Sequence, residues 1–329
     1  MSTDRIWKKI IIENLGYSIG ERLLIISDKE IEIPIPAELP VSAEICVAPS
    51  SGGHGMEPAL EVWEAAFGAA SAALEFNGVF EKIISKKLDS IGESFLDNWI
   101  SKAAPLAPNA VIAITHFSTS HTLFRKLLNR AGTRYASIPL FEPYLLRENG
   151  PIDIDYLQLE DRCRKLYNKI NGAKKIKITA PNGTDLELEV EGRQFHIDDG
   201  NLTKKGSFGN LPAGEIYIAP LEGRSNGTLV IEDGSEIHVE DGAVVEIFGE
   251  SKLSRIFSEH SDWLKIAELG IGMNDRANRT DNVLEAEKIL STVHIAFGDN
   301  SGFGGTQRIP YHVDHVVFNP TLIADSIYL

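Results

Sequence analysis

The feature that most limits what this chain can become is a change of periodicity at Gly150-Pro151. Before it, short apolar runs alternate with helical patterns. Residues 22–28, 44–49, 110–115 and 134–139 read as strands. Between them lie a helical stretch over 6–15 closed by Gly16, an Ala-rich helix over 59–75 behind Pro58, and a helix over 122–131 stopped by Gly132. Strands alternating with helices predict an α/β domain with a mostly parallel, doubly wound sheet over residues 1–150. After Gly150-Pro151 a helix over 155–170 gives way to β-type sequence punctuated by Asn182-Gly183, Asn226-Gly227, Asp233-Gly234 and Asp241-Gly242, with a second helix over about 251–266. The stretch 174–190 reads as a hairpin with a type I′ turn. Residues 151–329 are therefore expected to form an α+β, mainly β, domain.

Composition excludes several roles. With 32 Lys and Arg against 47 Asp and Glu, the net charge is −15, and no basic cluster offers a surface for nucleic acid or for an anionic membrane. Cys46 and Cys163 form no C-x-x-C pair, which argues against a thiolate zinc site and a disulfide framework. No run approaches the ~20 apolar residues of a membrane span, and the start has no secretory apolar core, so a cytoplasmic setting is expected. G-x-S-x-G, Walker, H-E-x-x-H and G-x-G-x-x-G patterns are missing from their proper contexts.

The residues that carry chemistry gather between 210 and 315. In a strand, residues i and i+2 share a face, so His312-Val313-Asp314 projects an imidazole and a carboxylate side by side. That pair suits Zn, Fe, Mn or Co, and equally a plain His-Asp hydrogen bond. His294 stands in an alternating apolar strand between Thr292 and Ala296, ahead of the Gly-rich segment 298–305. Glu268 is flanked by small and apolar residues, where an unpartnered carboxylate is costly. Glu215 opens the run Ile216-Tyr217-Ile218.

At these positions the sequence resembles the aminopeptidase T family of metallopeptidases. Asn210-Leu-Pro-Ala-Gly-Glu215 and Ala267-Glu268-Leu-Gly270 are similar to its two Glu-bearing segments. Thr292-Val-His294 is similar to its first His segment, and His312-Val-Asp314 to its closing His-x-Asp. Gly52 to Pro58 and Ser120-His121-Thr122 also resemble it. The resemblance implies an aminopeptidase-like hydrolase that uses metal-activated water to release N-terminal residues from small peptides. Zn, Co or Mn would be held by Glu215, Glu268, His294, His312 and Asp314, with Glu215 and His121 in catalysis. The longer peptidases carry a Tyr ligand seven residues after the first His, where this chain has Ser301. The alternative is a shorter-chain relative of the superfamily, a mononuclear Fe(II) dioxygenase that opens dihydroxypyridine rings. Its two His and one Asp map to His294, His312 and Asp314, leaving Glu215, His121 or His116 to handle protons. A non-catalytic binding protein on the same fold is the third possibility. The family's habit implies a homodimer; Trp7, expected at the surface among Lys and Arg, and the apolar stretch from Val316 to Ile323 suit a dimer face and equally packing against the domain core.

Overall fold

The structure, a computed structural model, describes residues 3–28, 31–32, 35, 43–48, 57–85, 87, 90–120 and 122–329. The chain separates into two compact units, Met1–Asp153 with Gly200–Ala213, and Ile154–Asp199 with Gly214–Leu329.

The first unit holds a five-stranded sheet in the order Ala43–Ala48, Leu23–Asp28, Ala110–Ile114, Arg134–Ile138, Phe208–Asn210, with every neighbouring pair parallel. The three central strands are buried at every position, as a sheet covered on both faces requires. Trp63, Phe67, Trp99 and Phe124 knit the helices over it, with Trp63 and Phe124 5.0 Å apart edge to face. The parallel α/β architecture expected here is present. Its helices differ in detail. The Ala-rich stretch does not form one helix: Leu60–Phe67 ends at Gly68, whose φ of +54° breaks the run into a 3₁₀ turn before Ala72–Phe76. Trp7, expected at the surface, is wholly buried.

The second unit consists of antiparallel sheets with the helices Tyr156–Ile170 and Lys252–His260. A seven-stranded sheet runs Ala243–Phe248, Glu236–Glu240, Ser225–Val230, Asp185–Glu189, Lys175–Thr179, Thr321–Ala324, Ile327–Tyr328. A five-stranded sheet runs His312–Phe318, Thr292–Gly298, Ile266–Gly272, Glu215–Ile218, His196–Asp198. Both contribute to one core, where Ile176, Ile178, Leu186 and Leu188 join Ile216, Leu269, Ile295 and Val317. The hairpin is in register, Ile176 with Leu188 and Ile178 with Leu186, but its turn is not type I′. Ala180 and Thr184 close a three-residue loop in which only Gly183 has positive φ, at +106°. Val317 and Leu322 are core residues here, so neither they nor Trp7 supply the exposed apolar surface that suggested a dimer.

Among the described residues no helix is long and apolar enough to cross a membrane. Ile295 is fully buried at the centre of the second unit's core. Ile295→Ala is expected to lower unfolding stability by about 2–5 kcal/mol, read from the shift of a urea unfolding midpoint at unchanged slope. A loss under about 0.5 kcal/mol would show that this core does not carry the fold.

Candidate metal centre

The five-stranded sheet sorts its residues by strand alternation. Ile216, Ile218, Leu269, Ile271, Val293, Ile295, Phe297 and Val317 face the core. The intervening residues Glu215, Glu268, His294, His312 and Asp314 share the opposite face. Register brings them together: Gly270 pairs with His294, Glu268 with Ala296, Ala296 with Asp314, Gly298 with His312, and Gly272 with Glu215. Each of these cross-strand pairs sets a large functional side chain opposite a Gly or an Ala. At Gly270 the demand is absolute, because a Cβ there would lie 2.0 Å from His294 Cε1.

His294 Nε2 lies 3.5 Å from Glu215 Oε2, 3.5 Å from Glu268 Oε1 and 3.9 Å from Asp314 Oδ1. His312 Nε2 lies 3.5 Å from Glu268 Oε2 and 3.6 Å from Asp314 Oδ1. Glu268 thus spans both imidazoles. His312 Nδ1 is 2.8 Å from the Asp299 carbonyl, a contact that fixes Nδ1 as the N–H and turns Nε2 toward the carboxylates. Glu215, Glu268 and His294 form one group able to hold a metal, and Glu268, His312 and Asp314 a second. All five residues singled out in the sequence are brought together. His121 lies outside the described residues, and so does Gly52 to Met56 of the resembling N-terminal stretch. His116 is an exposed residue of the first unit, its ring edge-on to Phe117.

Two participants had no signal in the sequence. Glu287 and Lys288 follow the short helix Val283–Ala286 and look like ordinary solvated helix charges, yet they are 7% and 1% exposed. Lys288 Nζ contacts Glu215 Oε1 at 2.5 Å and Glu287 Oε1 at 2.9 Å. Glu287, His294 and Asp314 make a third potential ligand group. The backbone explains the burial: Lys288 O accepts from Asn274 N at 2.8 Å and Asn274 O from Leu290 N at 3.0 Å, which pins the segment beside the sheet.

The loop after His294 is fastened by Glu222, which accepts from Asn300 Nδ2 at 3.1 Å and Thr306 N at 2.7 Å and pairs with Arg193. Ser301 is exposed, and its hydroxyl is spent on Asp299 Oδ1 at 2.9 Å. The same loop presents Phe303, whose ring stands edge-on to Tyr217 at 5.7 Å and to His312 at 6.1 Å. His196 stacks on Tyr217 at 5.2 Å, and its Nε2 lies 3.1 Å from the Phe303 carbonyl.

The electrostatics fit a cation. Burial alone lowers the His294 imidazole, but its contact with Glu268 and the charges of Glu215, Asp314 and Glu287 lift it to about 9. Burial likewise opposes the charge on His312, and Asp314 with Glu268 overrides it, giving about 10. Burial works against the Asp314 charge too, and the two imidazoles bring that carboxyl well below its ordinary range. Burial raises Glu287 to about 7, with Asp314 and Glu215 adding to it and Lys288 opposing. Glu215 Oε2, deeply buried, has no hydrogen-bond partner. Imidazole nitrogens and carboxylate oxygens around an orphaned acceptor are the donor set of a divalent metal.

Fold and site together define an enzyme scaffold with candidate metal-binding groups. A sequence model for 2,5-dihydroxypyridine 5,6-dioxygenase, the NicX family, matches residues 59–327, and the chain belongs to that family. The fold is shared with the 2,5-dihydroxypyridine dioxygenase from Pseudomonas putida KT2440, at TM-score 0.67 and 14% identity over 100% of this chain and 96% of that one. It is also shared with AmpT from Thermus thermophilus, at TM-score 0.58 and 15% identity over 99% and 96%. No curated protein matches the sequence. The family match overturns the expected peptide-cleaving hydrolase, since it places residues 59–327 in the dioxygenase family. The error has a chemical cause: the two-histidine, one-aspartate set of the alternative lies within the His, Glu and Asp set that suggested the hydrolase, so the donors alone do not separate the reactions.

Two outcomes follow. Gly270→Ala is expected to displace His294 and to weaken metal binding by at least about 10-fold in calorimetric titration, the scale at which misplaced ligands act. An unchanged affinity would mean that His294 takes no part. In chelator-treated protein, the raised imidazoles contribute stability that is complete below their unfolded value of 6.5 and is lost as pH climbs through about 9 to 10. Its melting temperature should fall from pH 6.5 to 10, and the gain on adding metal should grow over the same window, because the metal displaces those protons. A metal-induced gain that shrinks with pH would contradict the assignment.

Proposed function

We propose that this chain is a mononuclear, non-haem Fe(II) dioxygenase that opens a dihydroxylated pyridine-type ring. The observation that carries the proposal is the family match over residues 59–327, a span that includes every residue of the cluster. His294 and His312 with Asp314 would hold the ion, a two-histidine, one-carboxylate set of the kind that leaves coordination positions open. When bound, Fe(II) supplies electron exchange between an electron-rich ring and dioxygen. One ring C–C bond breaks, both oxygen atoms enter the product, and the ring itself is the reductant, so no external electron donor is needed.

The chain's own residues prepare this chemistry. Asp299, through its carbonyl, keeps His312 in one tautomer and one orientation. Lys288 ties up Glu215 Oε1 and leaves Oε2 as an acceptor for a ring hydroxyl proton. Tyr217 and Phe303 give an apolar wall beside His312 against which a planar ring can stack.

Anaerobically reloaded with Fe(II), the protein should consume one dioxygen per 2,5-dihydroxypyridine, followed with an oxygen electrode and by loss of the ring absorbance. Asp314→Ala should retain no iron and no activity. Glu215→Gln should keep its iron and lose about 10²–10⁴-fold in kcat. Ring loss without oxygen uptake, or full turnover by Asp314→Ala, would sink the proposal.

A further inference from the structure

Lys288 is a permanent positive charge placed inside a cluster otherwise built to attract cations. It is 1% exposed, and it reaches two different potential metal groups at once, through Glu215 Oε1 at 2.5 Å and Glu287 Oε1 at 2.9 Å. The three potential ligand groups overlap: Glu268 belongs to two of them, and so do His294 and Asp314. Overlap of this kind is what a two-ion site needs, with shared carboxylates bridging ions about 3.5–4 Å apart.

We infer that Lys288 restricts this centre to a single divalent ion by supplying, from the chain itself, the positive charge and the carboxylate contacts that a second ion would otherwise provide. The inference rests on the reading of the cluster as a metal centre. Two observations carry it beyond that reading.

The first is occupancy of donors. Glu215 and Glu287 each give one oxygen to the ammonium, while Glu215 Oε2, pointing at His294 Nε2 from 3.5 Å, is the atom left without a hydrogen bond. Donors are therefore available on the His294 side of Glu215 and spent on the Lys288 side.

The second is charge. Glu215, Glu268, Glu287 and Asp314 place four carboxylates in the cluster. The ammonium and one divalent ion bring their sum close to neutral, one negative charge short of it. A second divalent ion beside the ammonium would leave the same space one positive charge over, and it would have to take its oxygens from the ammonium's two partners, Glu215 and Glu287. Without the ammonium, two divalent ions would match the four carboxylates, and the oxygens now held by Lys288 would be open to coordinate.

The test counts ions on the full chain. Chelator-treated protein is equilibrated with Mn(II), freed of excess by gel filtration, and read by elemental analysis and by electron paramagnetic resonance. Wild type should carry one Mn(II) per chain with the spectrum of an isolated ion. Lys288→Gln, which removes the charge and, one bond shorter, releases the carboxylate oxygens, should carry two, with the spectrum of a coupled pair. Lys288→Arg, which keeps the charge, should stay at one. Circular dichroism checks that each variant is folded. Should the Gln variant fail to fold, Lys288→Met refolded in Mn(II) carries the same expectation of two. One isolated ion in folded Lys288→Gln, with one in wild type, would overturn this inference and leave the metal centre standing. No ion in wild type or in any variant would remove both.

Discussion

Buried negative charge on one face of the five-stranded sheet is the constraint to which the rest of the second unit answers. Glu215, Glu268 and Glu287 are each 7% exposed, and Asp314 lies against them. Isolated carboxylates do not persist at that depth, so the sheet must deliver positive charge to the same place. It does so in layers: Lys288 permanently, His294 and His312 by taking protons, and a divalent cation in place of those protons. The raised imidazoles, the depressed Asp314 and the buried ammonium are consequences of one arrangement rather than separate facts.

The sheet can hold such a cluster because its two faces do different jobs. The inward residues, from Ile216 to Val317, bury hydrocarbon against the core that they share with the seven-stranded sheet. That burial stabilises the strands independently of the polar face, which frees the polar face to be locally unfavourable. Space there is set by absence: Gly270 opposite His294, Ala296 between Glu268 and Asp314, Gly298 opposite His312. Each of these positions would be a good site for a β-branched residue on propensity alone. The small residues weaken the strand locally and make the convergence of five large polar side chains possible.

This explains which parts of the molecule could be read from the amino acids. Apolar runs such as Ala110–Ile114 announce a covered parallel strand because burial on both faces leaves a continuous signature. The His-x-Asp spacing announces a shared face because the strand period is two. Lys288 was illegible, since its burial comes from a backbone ladder to Asn274 and not from local sequence. The strand Phe208–Asn210 was equally hidden: three residues carry no periodicity, and it joins the first unit's sheet from beyond residue 200. Trp7 misled because Lys and Arg neighbours suggest exposure, whereas the helix Asp4–Lys8 turns its indole inward. The reaction was misread for a different reason. Motifs report donors, and the same His, Glu and Asp donors suit hydrolytic and oxidative metal chemistry alike. Only the match along the chain from residue 59 to 327 carried the distinction.

The loop from Asp299 to Tyr311 is where that distinction can reside physically. A side chain at position 301 could reach the cluster only if it were long and turned inward, and Ser301 is short and turned onto Asp299. The cluster therefore gains no donor from this loop. Asp299 meanwhile acts twice, its carboxylate holding Ser301 and its carbonyl holding His312. Two residues further along, Phe303 closes against Tyr217 and His312, so the loop contributes an aromatic surface in place of a ligand. Fewer donors leave more of an ion's coordination sphere for exogenous molecules, and an aromatic wall favours a flat ring over a peptide backbone. Above the gathered His, Glu and Asp side chains, the loop therefore adds an aromatic face and no further donor, which leaves the space beside His312 shaped for a flat group rather than filled by the chain itself.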